Sequence, residues 1–243
     1  MSAKAATAFT PVERLEVKAL VFLALARHFA VADARPADGL SLEALGAALD
    51  GLGWSGAAES IERAAVRRDA PDVRLRHSQI FYQSLPPPYE TSHAGGAAAD
   101  LADVAGFYRA FGVTLTGDKP DHLVAELEFV ALTLAKEAHA RARGDHRSDI
   151  CAWARARFLR ERLGTWTGTF ADAVEARHPD SVWSHLARAA AYCVEAEARE
   201  CGVEPLVPRG APGTPAWNQD MPGPRVDLDR PPCADGSLDV PPP

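Results

Sequence analysis

Cysteine is scarce and scattered: four residues, at positions 151, 193, 201 and 233, with no C-x-x-C pair among them. That spacing signals neither a zinc site nor a redox dithiol. Long hydrophobic runs are missing too. The first apolar stretch, Ala19 to Ala32, is interrupted by Arg27 and His28, and no apolar run follows Lys4. Neither a signal peptide nor a membrane span is expected, so the thiols are expected reduced and the protein cytoplasmic. Basic charge is in deficit, 26 Lys and Arg against 33 Asp and Glu, which argues against gripping phosphate backbones or anionic lipid and leaves nucleic acid out as a partner.

Catalytic signatures are absent as well. There is no G-x-S-x-G elbow, no G-x-x-x-x-G-K-[ST] loop, no strand followed by G-x-G-x-x-G, and no H-E-x-x-H. The eight histidines are dispersed. Only His122 with Glu126 has the helical spacing of a metal-ligand pair, and no third ligand is evident nearby. The expectation is a non-enzyme without metal or cofactor. A helical metal-dependent hydrolase using His122 and Glu126 is the alternative from another class.

No segment alternates apolar and polar residues in the two-residue rhythm of a sheet. What is present is helical periodicity, punctuated by good start and stop signals. Thr10-Pro11-Val12-Glu13 reads as a capping box opening a helix to about Val31. Ser41 caps a second helix ending near Gly53, and Ser55 opens a third carrying Ile61, Ala65 and Val66. A fourth is expected from Asp72 through Leu75, Ile80 and Phe81 until Pro86-Pro87-Pro88 stops it. A fifth runs from Ala98 to Phe111, with Gly112 as its left-handed cap. The sixth opens at Pro120 and extends to Ala142, its Lys136–Arg143 end charged and solvated. Further helices place Cys151, Phe158, Leu163, Phe170, Val174, Leu186 and Cys193 inward. Trp153, Trp166 and Trp183 read as core rather than as a cofactor box. The fold expected is all-α, a single helical domain of about nine helices over residues 1–203.

Residues 204–243 change character. They hold eleven of the nineteen prolines and no apolar periodicity, so they are expected to form an extended or disordered tail. A structural adaptor working through this tail is a third reading.

The functional interest centres on Pro120-Asp121-His122-Leu123-Val124-Ala125-Glu126-Leu127-Glu128-Phe129. Proline suits a first helical turn, Asp121 complements the positive end of the helix dipole, and His122 and Glu126 lie one turn apart. An Asp near a helix start is equally a capping residue, and a first-turn His is commonly just solvated. Upstream, Tyr89 and Glu90 follow the triple proline. They read as a binding loop or as a plain turn whose Tyr packs back on the core.

The order of these marks carries a resemblance. Phe81-Tyr82, then Pro88-Tyr89-Glu90-Thr91, then Phe107-Tyr108-Arg109-Ala110-Phe111-Gly112, then Pro120-Asp121-His122 running into Glu126-Leu127-Glu128-Phe129 resembles the TorD/DmsD/NarJ superfamily of redox-enzyme maturation chaperones. Phe158 to Leu163 with Trp166 and Phe170 is similar to its later helices, and the likeness spans about Val12 to Ala198. It is nearest to the branch serving dimethylsulfide, ethylbenzene, chlorate or selenate enzymes. The resemblance implies an all-helical, non-catalytic protein that binds the apo catalytic subunit of a molybdopterin enzyme, often through its twin-arginine leader, and assists cofactor insertion before export. It also implies a client-binding groove at Tyr89, Glu90, Pro120, Asp121 and His122, with Glu126 adding charge, in a monomer or a helix-swapped dimer.

Overall fold

In the computed structural model, the described residues are 9–37, 39–94, 98–114 and 119–206, with the side chains of 98–100 left out. Residues 207–243, where most of the tail lies, are outside them. Among the described residues the architecture is all-α, with no strand and one isolated bridge, Tyr89 to His122. The helices are α1 (Pro11–Ala30), α2 (Leu42–Leu52), α3 (Ser55–Arg67), α4 (Val73–His77), α5 (Glu90–His93), α6 (Ala98–Ala110), α7 (Leu123–Ala142), α8 (Arg147–Glu161), α9 (Thr167–Arg177) and α10 (Val182–Glu200). No described helix is long and apolar enough to cross a membrane.

Local chemistry sets most of the boundaries. The Thr10 hydroxyl accepts from the Glu13 N–H while the Glu13 carboxylate accepts from the Thr10 N–H, closing the capping box at α1. Ser181 and Ser184 close a second box at α10, while Ser41 caps α2 with its hydroxyl alone, accepting from the Ala44 N–H. Packing then joins distant segments: α1 lies along α7, α10 and α2 both pack on α3, α7 meets α8, and α9 meets α10. Trp166, Trp183, Phe22 and Phe158 are all fully buried in that core.

Three expectations change in detail. The fourth helix is α4 followed by a single π turn, Ser78–Tyr82, so its apolar face is rotated: Ile80 is buried while Leu75 is exposed. Val66, one of the apolar residues carried by the third helix, is 78% exposed, because α3 buries Ala57, Ile61 and Ala64 instead. Finally, the end of α7 is not simply solvated. Glu137 is buried and receives Arg155 of α8 at 2.5 Å and Arg141 at 2.6 Å.

Arg155 belongs to a larger buried network. It also reaches Glu197 of α10 at 2.8 Å, and Glu197 meets Lys18 of α1 at 2.7 Å, which in turn contacts Glu200 at 2.6 Å. Four helices are thereby held in register by alternating charges. The chain stays in contact past Val203: the Leu206 N–H donates to the Arg160 carbonyl at 2.8 Å, and Pro205 covers Gly164. A β-carbon at Gly164 would sit 2.3 Å from the Leu159 carbonyl oxygen and 2.8 Å from the Pro205 ring.

Three substitutions test this packing. Arg155→Ala removes the one cation shared by buried Glu137 and Glu197, leaving each with a single partner, and is expected to lower unfolding free energy by about 3–5 kcal/mol in urea titrations. Gly164→Ala must push backbone against backbone and is expected to cost about 2 kcal/mol or more. Gly106→Ala, where an added methyl meets nothing, should instead be neutral or slightly stabilising.

Candidate functional site

The triple-proline turn and the start of α7 are zipped together by backbone. The Glu90 N–H donates to the Asp121 carbonyl and the Leu123 N–H to the Pro88 carbonyl, both at 3.0 Å, with Tyr89 and His122 paired between them in extended conformation. Prolines cannot donate, so the carbonyls of the turn must find donors elsewhere. The His178 ring gives its Nε2–H to the Leu85 carbonyl at 3.0 Å, and His93 gives its own to Pro87 at 2.7 Å. Each nitrogen must carry the hydrogen, since a carbonyl only accepts.

This pairing moves the start of α7. Helical geometry begins at Leu123, not at Pro120, because Lys119 to His122 form a turn closed by the His122 N–H on the Lys119 carbonyl at 3.2 Å, His122 itself is extended, and the Tyr108 hydroxyl donates to the Pro120 carbonyl at 2.7 Å. His122 becomes the N-cap, its Nδ1 accepting from the Val124 N–H at 3.2 Å. Asp121 is fully buried; one carboxylate oxygen accepts both the Thr91 hydroxyl, at 2.7 Å, and the Thr91 N–H, at 3.2 Å.

The six sequence-indicated residues therefore form one cluster, but in two layers. Tyr89 and Pro120 are half-buried at the surface, with the Tyr89 and His122 rings edge to face at 5.2 Å and Lys119 over the Tyr89 ring at 5.1 Å. Glu90, Asp121 and Glu126 lie beneath, none more than 3% exposed. Sequence reasoning missed the partners that hold the lower layer. Arg162 contacts Glu90 at 3.3 Å and Asp103 at 2.8 Å. The Trp166 indole N–H donates to Glu126 at 3.1 Å, while its ring stacks on His93. Nothing in the run Arg160-Glu161-Arg162 marks which arginine turns inward.

Burial pushes the Glu126 carboxyl well above the usual carboxylate range, reinforced by the neighbouring charge of Glu90, against the opposing bond from Trp166. The carboxyl therefore keeps its proton to higher pH than an exposed glutamate would. Among the described residues no group of three or more His, Cys, Asp or Glu is placed to hold a metal ion, His122 and Glu126 included.

Beside the cluster runs an apolar ledge. Phe81 packs against His122, and Tyr82 and Leu85 stand 77% and 43% exposed on the same stretch of chain that leads to Tyr89.

A family model described as nitrate reductase delta subunit matches residues 48–172, just over half of the chain. The match contains every residue of the cluster, from Glu90 to Trp166. The chain belongs to this family. Its members are non-catalytic chaperones of molybdoenzyme maturation that bind the enzymes' catalytic subunits. Searches of the curated proteins and of the solved structures gave no match.

The raised Glu126 carboxyl has a pH consequence. Its folded form holds a proton that the unfolded chain releases near pH 4.5, so this contribution to stability is complete below that pH and is lost as pH rises toward the folded value. Glu126→Gln keeps an acceptor for Trp166 without the proton dependence. Urea unfolding between pH 5 and 8 is expected to show a smaller loss of stability with rising pH in the variant than in the parent; parallel curves would contradict it.

Proposed function

We propose that this protein is a system-specific chaperone that receives the apo catalytic subunit of a molybdenum oxidoreductase, through its twin-arginine leader where one is present. It holds the subunit in the cytoplasm until cofactor insertion is complete. The client is a periplasmic enzyme of the dimethylsulfide, ethylbenzene, chlorate or selenate kind. The functional unit is the helical body, residues 1–203, with 204–243 as an appended tail.

The observation that carries this reading is the two-layered cluster: an apolar ledge of exposed Tyr82 and Leu85 with half-buried Tyr89, fastened to the cap of α7 by backbone pairing. A leader offers an arginine pair followed by an apolar segment. The ledge suits the apolar part, since amphipathic segments bind by laying an apolar face on such surfaces. Glu90, Asp121 and Glu126 act from below, fixing the shape of the ledge through their bonds to Arg162, Thr91 and Trp166. They would form charge-assisted bonds with arginines only where the turn opens.

Isothermal titration of the purified protein against a synthetic twin-arginine leader tests the proposal. Binding is expected, with Tyr89→Ala and His122→Ala each weakening it about tenfold, ~1.4 kcal/mol. Tyr192→Ala, an exposed aromatic on α10, serves as the control that leaves binding unchanged. Indifference to both ledge substitutions would remove this surface from the reading. Co-purification with a molybdenum catalytic subunit checks recognition of the folded body independently.

A further inference from the structure

A second concave surface lies away from the ledge, between α6, α7 and α8. It is a groove of about 880 Å³, within the roughly 300–1,000 Å³ span of ligand-binding clefts. Its floor is aromatic, with Phe107, Phe111 and Trp153, and cations lie on those rings: Lys136 over Phe111 at 5.5 Å, and Arg157 over Trp153 at 5.5 Å and Phe107 at 5.9 Å. Arg157 is also paired with Glu161 at 2.9 Å, whereas Lys136 meets no carboxylate among the described residues, donating instead to the Phe111 carbonyl.

From this geometry we infer that the groove is the docking site of the chain's own C-terminal segment, residues 212–220, with Trp217 as the anchor on the aromatic floor and Asp220 as the partner of Lys136. Three observations converge on that occupant. The first is the exit point. The Leu206 N–H is bonded to the Arg160 carbonyl, so residue 207 starts at the C-terminal end of the helix that forms one wall of the groove. From Arg160 to Trp153 is about 10 Å along α8, at 1.5 Å per residue. The eleven residues from Leu206 to Trp217 span up to ~34 Å in extended polyproline geometry, so reach is ample.

The second observation is composition. Pro212-Gly213-Thr214-Pro215-Ala216-Trp217 is a P-x-x-P segment ending in the one aromatic residue of 207–243. Proline-rich segments dock on aromatic-lined grooves because their extended form is already set and little entropy is lost on binding. The third is charge. Residues 207–243 carry five aspartates and three arginines, an acidic balance suited to a groove with cations on its rings. Tethering adds to all three, since an attached ligand binds at a millimolar effective concentration without meeting a partner in solution. The tail is then a resident cover for this groove, separate from the ledge at Tyr89.

Photo-crosslinking in the full-length protein tests this, with p-benzoylphenylalanine incorporated in place of Trp217 and the products mapped by mass spectrometry. Cross-links within one chain onto peptides containing residues 107–111, 136–140 or 150–157 are expected, with a yield independent of protein concentration. Asp220→Lys should reduce that yield about fivefold, and combining it with Lys136→Glu should restore most of it. Cross-links mapping elsewhere on the body, products only of dimer size, absence of any product, or a yield blind to the charge exchange would each overturn the assignment.

Discussion

Two backbone hydrogen bonds, Glu90 to Asp121 and Leu123 to Pro88, govern the arrangement of the functional region. They fix the triple-proline turn to the head of α7, and most other features of the site follow from that attachment. Because the strand-like pairing holds His122 extended at the end of the 119–122 turn, α7 begins at Leu123 with an imidazole as its cap. Because Glu90 is the first residue of α5, immediately after the bridge, its carboxyl is turned inward beside Glu126. The histidines His93 and His178 complete the work by donating to the Pro87 and Leu85 carbonyls of a turn whose prolines have no N–H to offer.

The body that carries this device is held by two kinds of force. Apolar burial along the α1–α7 and α3–α10 contacts supplies most of the driving force, as in any helical domain. The alternating chain Glu137, Arg155, Glu197, Lys18 and Glu200 adds little net energy for its burial cost, but it constrains which helices meet and at what register. The site's carboxyls are solved differently: Arg162 supplies one guanidinium to Glu90, and burial with the neighbouring charge of Glu90 raises the Glu126 carboxyl so that it keeps its proton to higher pH. One cluster is neutralised by pairing, which holds Glu200 down to about 2 and weakens on acidification, whereas the raised Glu126 carboxyl weakens the fold as pH rises.

A client-binding role suits such a construction better than chemistry would. The buried layer is sealed, while the layer above it is apolar, aromatic and exposed at Tyr82 and Leu85. Family membership says what sort of partner is bound. The ledge, and separately the groove over Phe107, Phe111 and Trp153, are the surfaces on which partners of different origin would be received.

Much of the fold was legible in order along the chain. Helical period, the Thr10 capping box, Ser41, Gly53 and Ser181 mark helix limits through interactions within a few residues, so the all-α class and most boundaries are properties of the sequence alone. The motif order also brought Tyr89, Glu90, Pro120, Asp121, His122 and Glu126 forward as a group. Tertiary structure decided their depth and their state: which residues face water, that Arg162 and not Arg160 joins the cluster, and that Glu126 keeps a proton. It likewise decided that Val66 and Leu75 face out. The reason is physical. Caps and periodicity act over three or four residues, whereas burial, pairing across 30 to 70 residues of chain, and the low dielectric that shifts a carboxyl exist only after the helices have met.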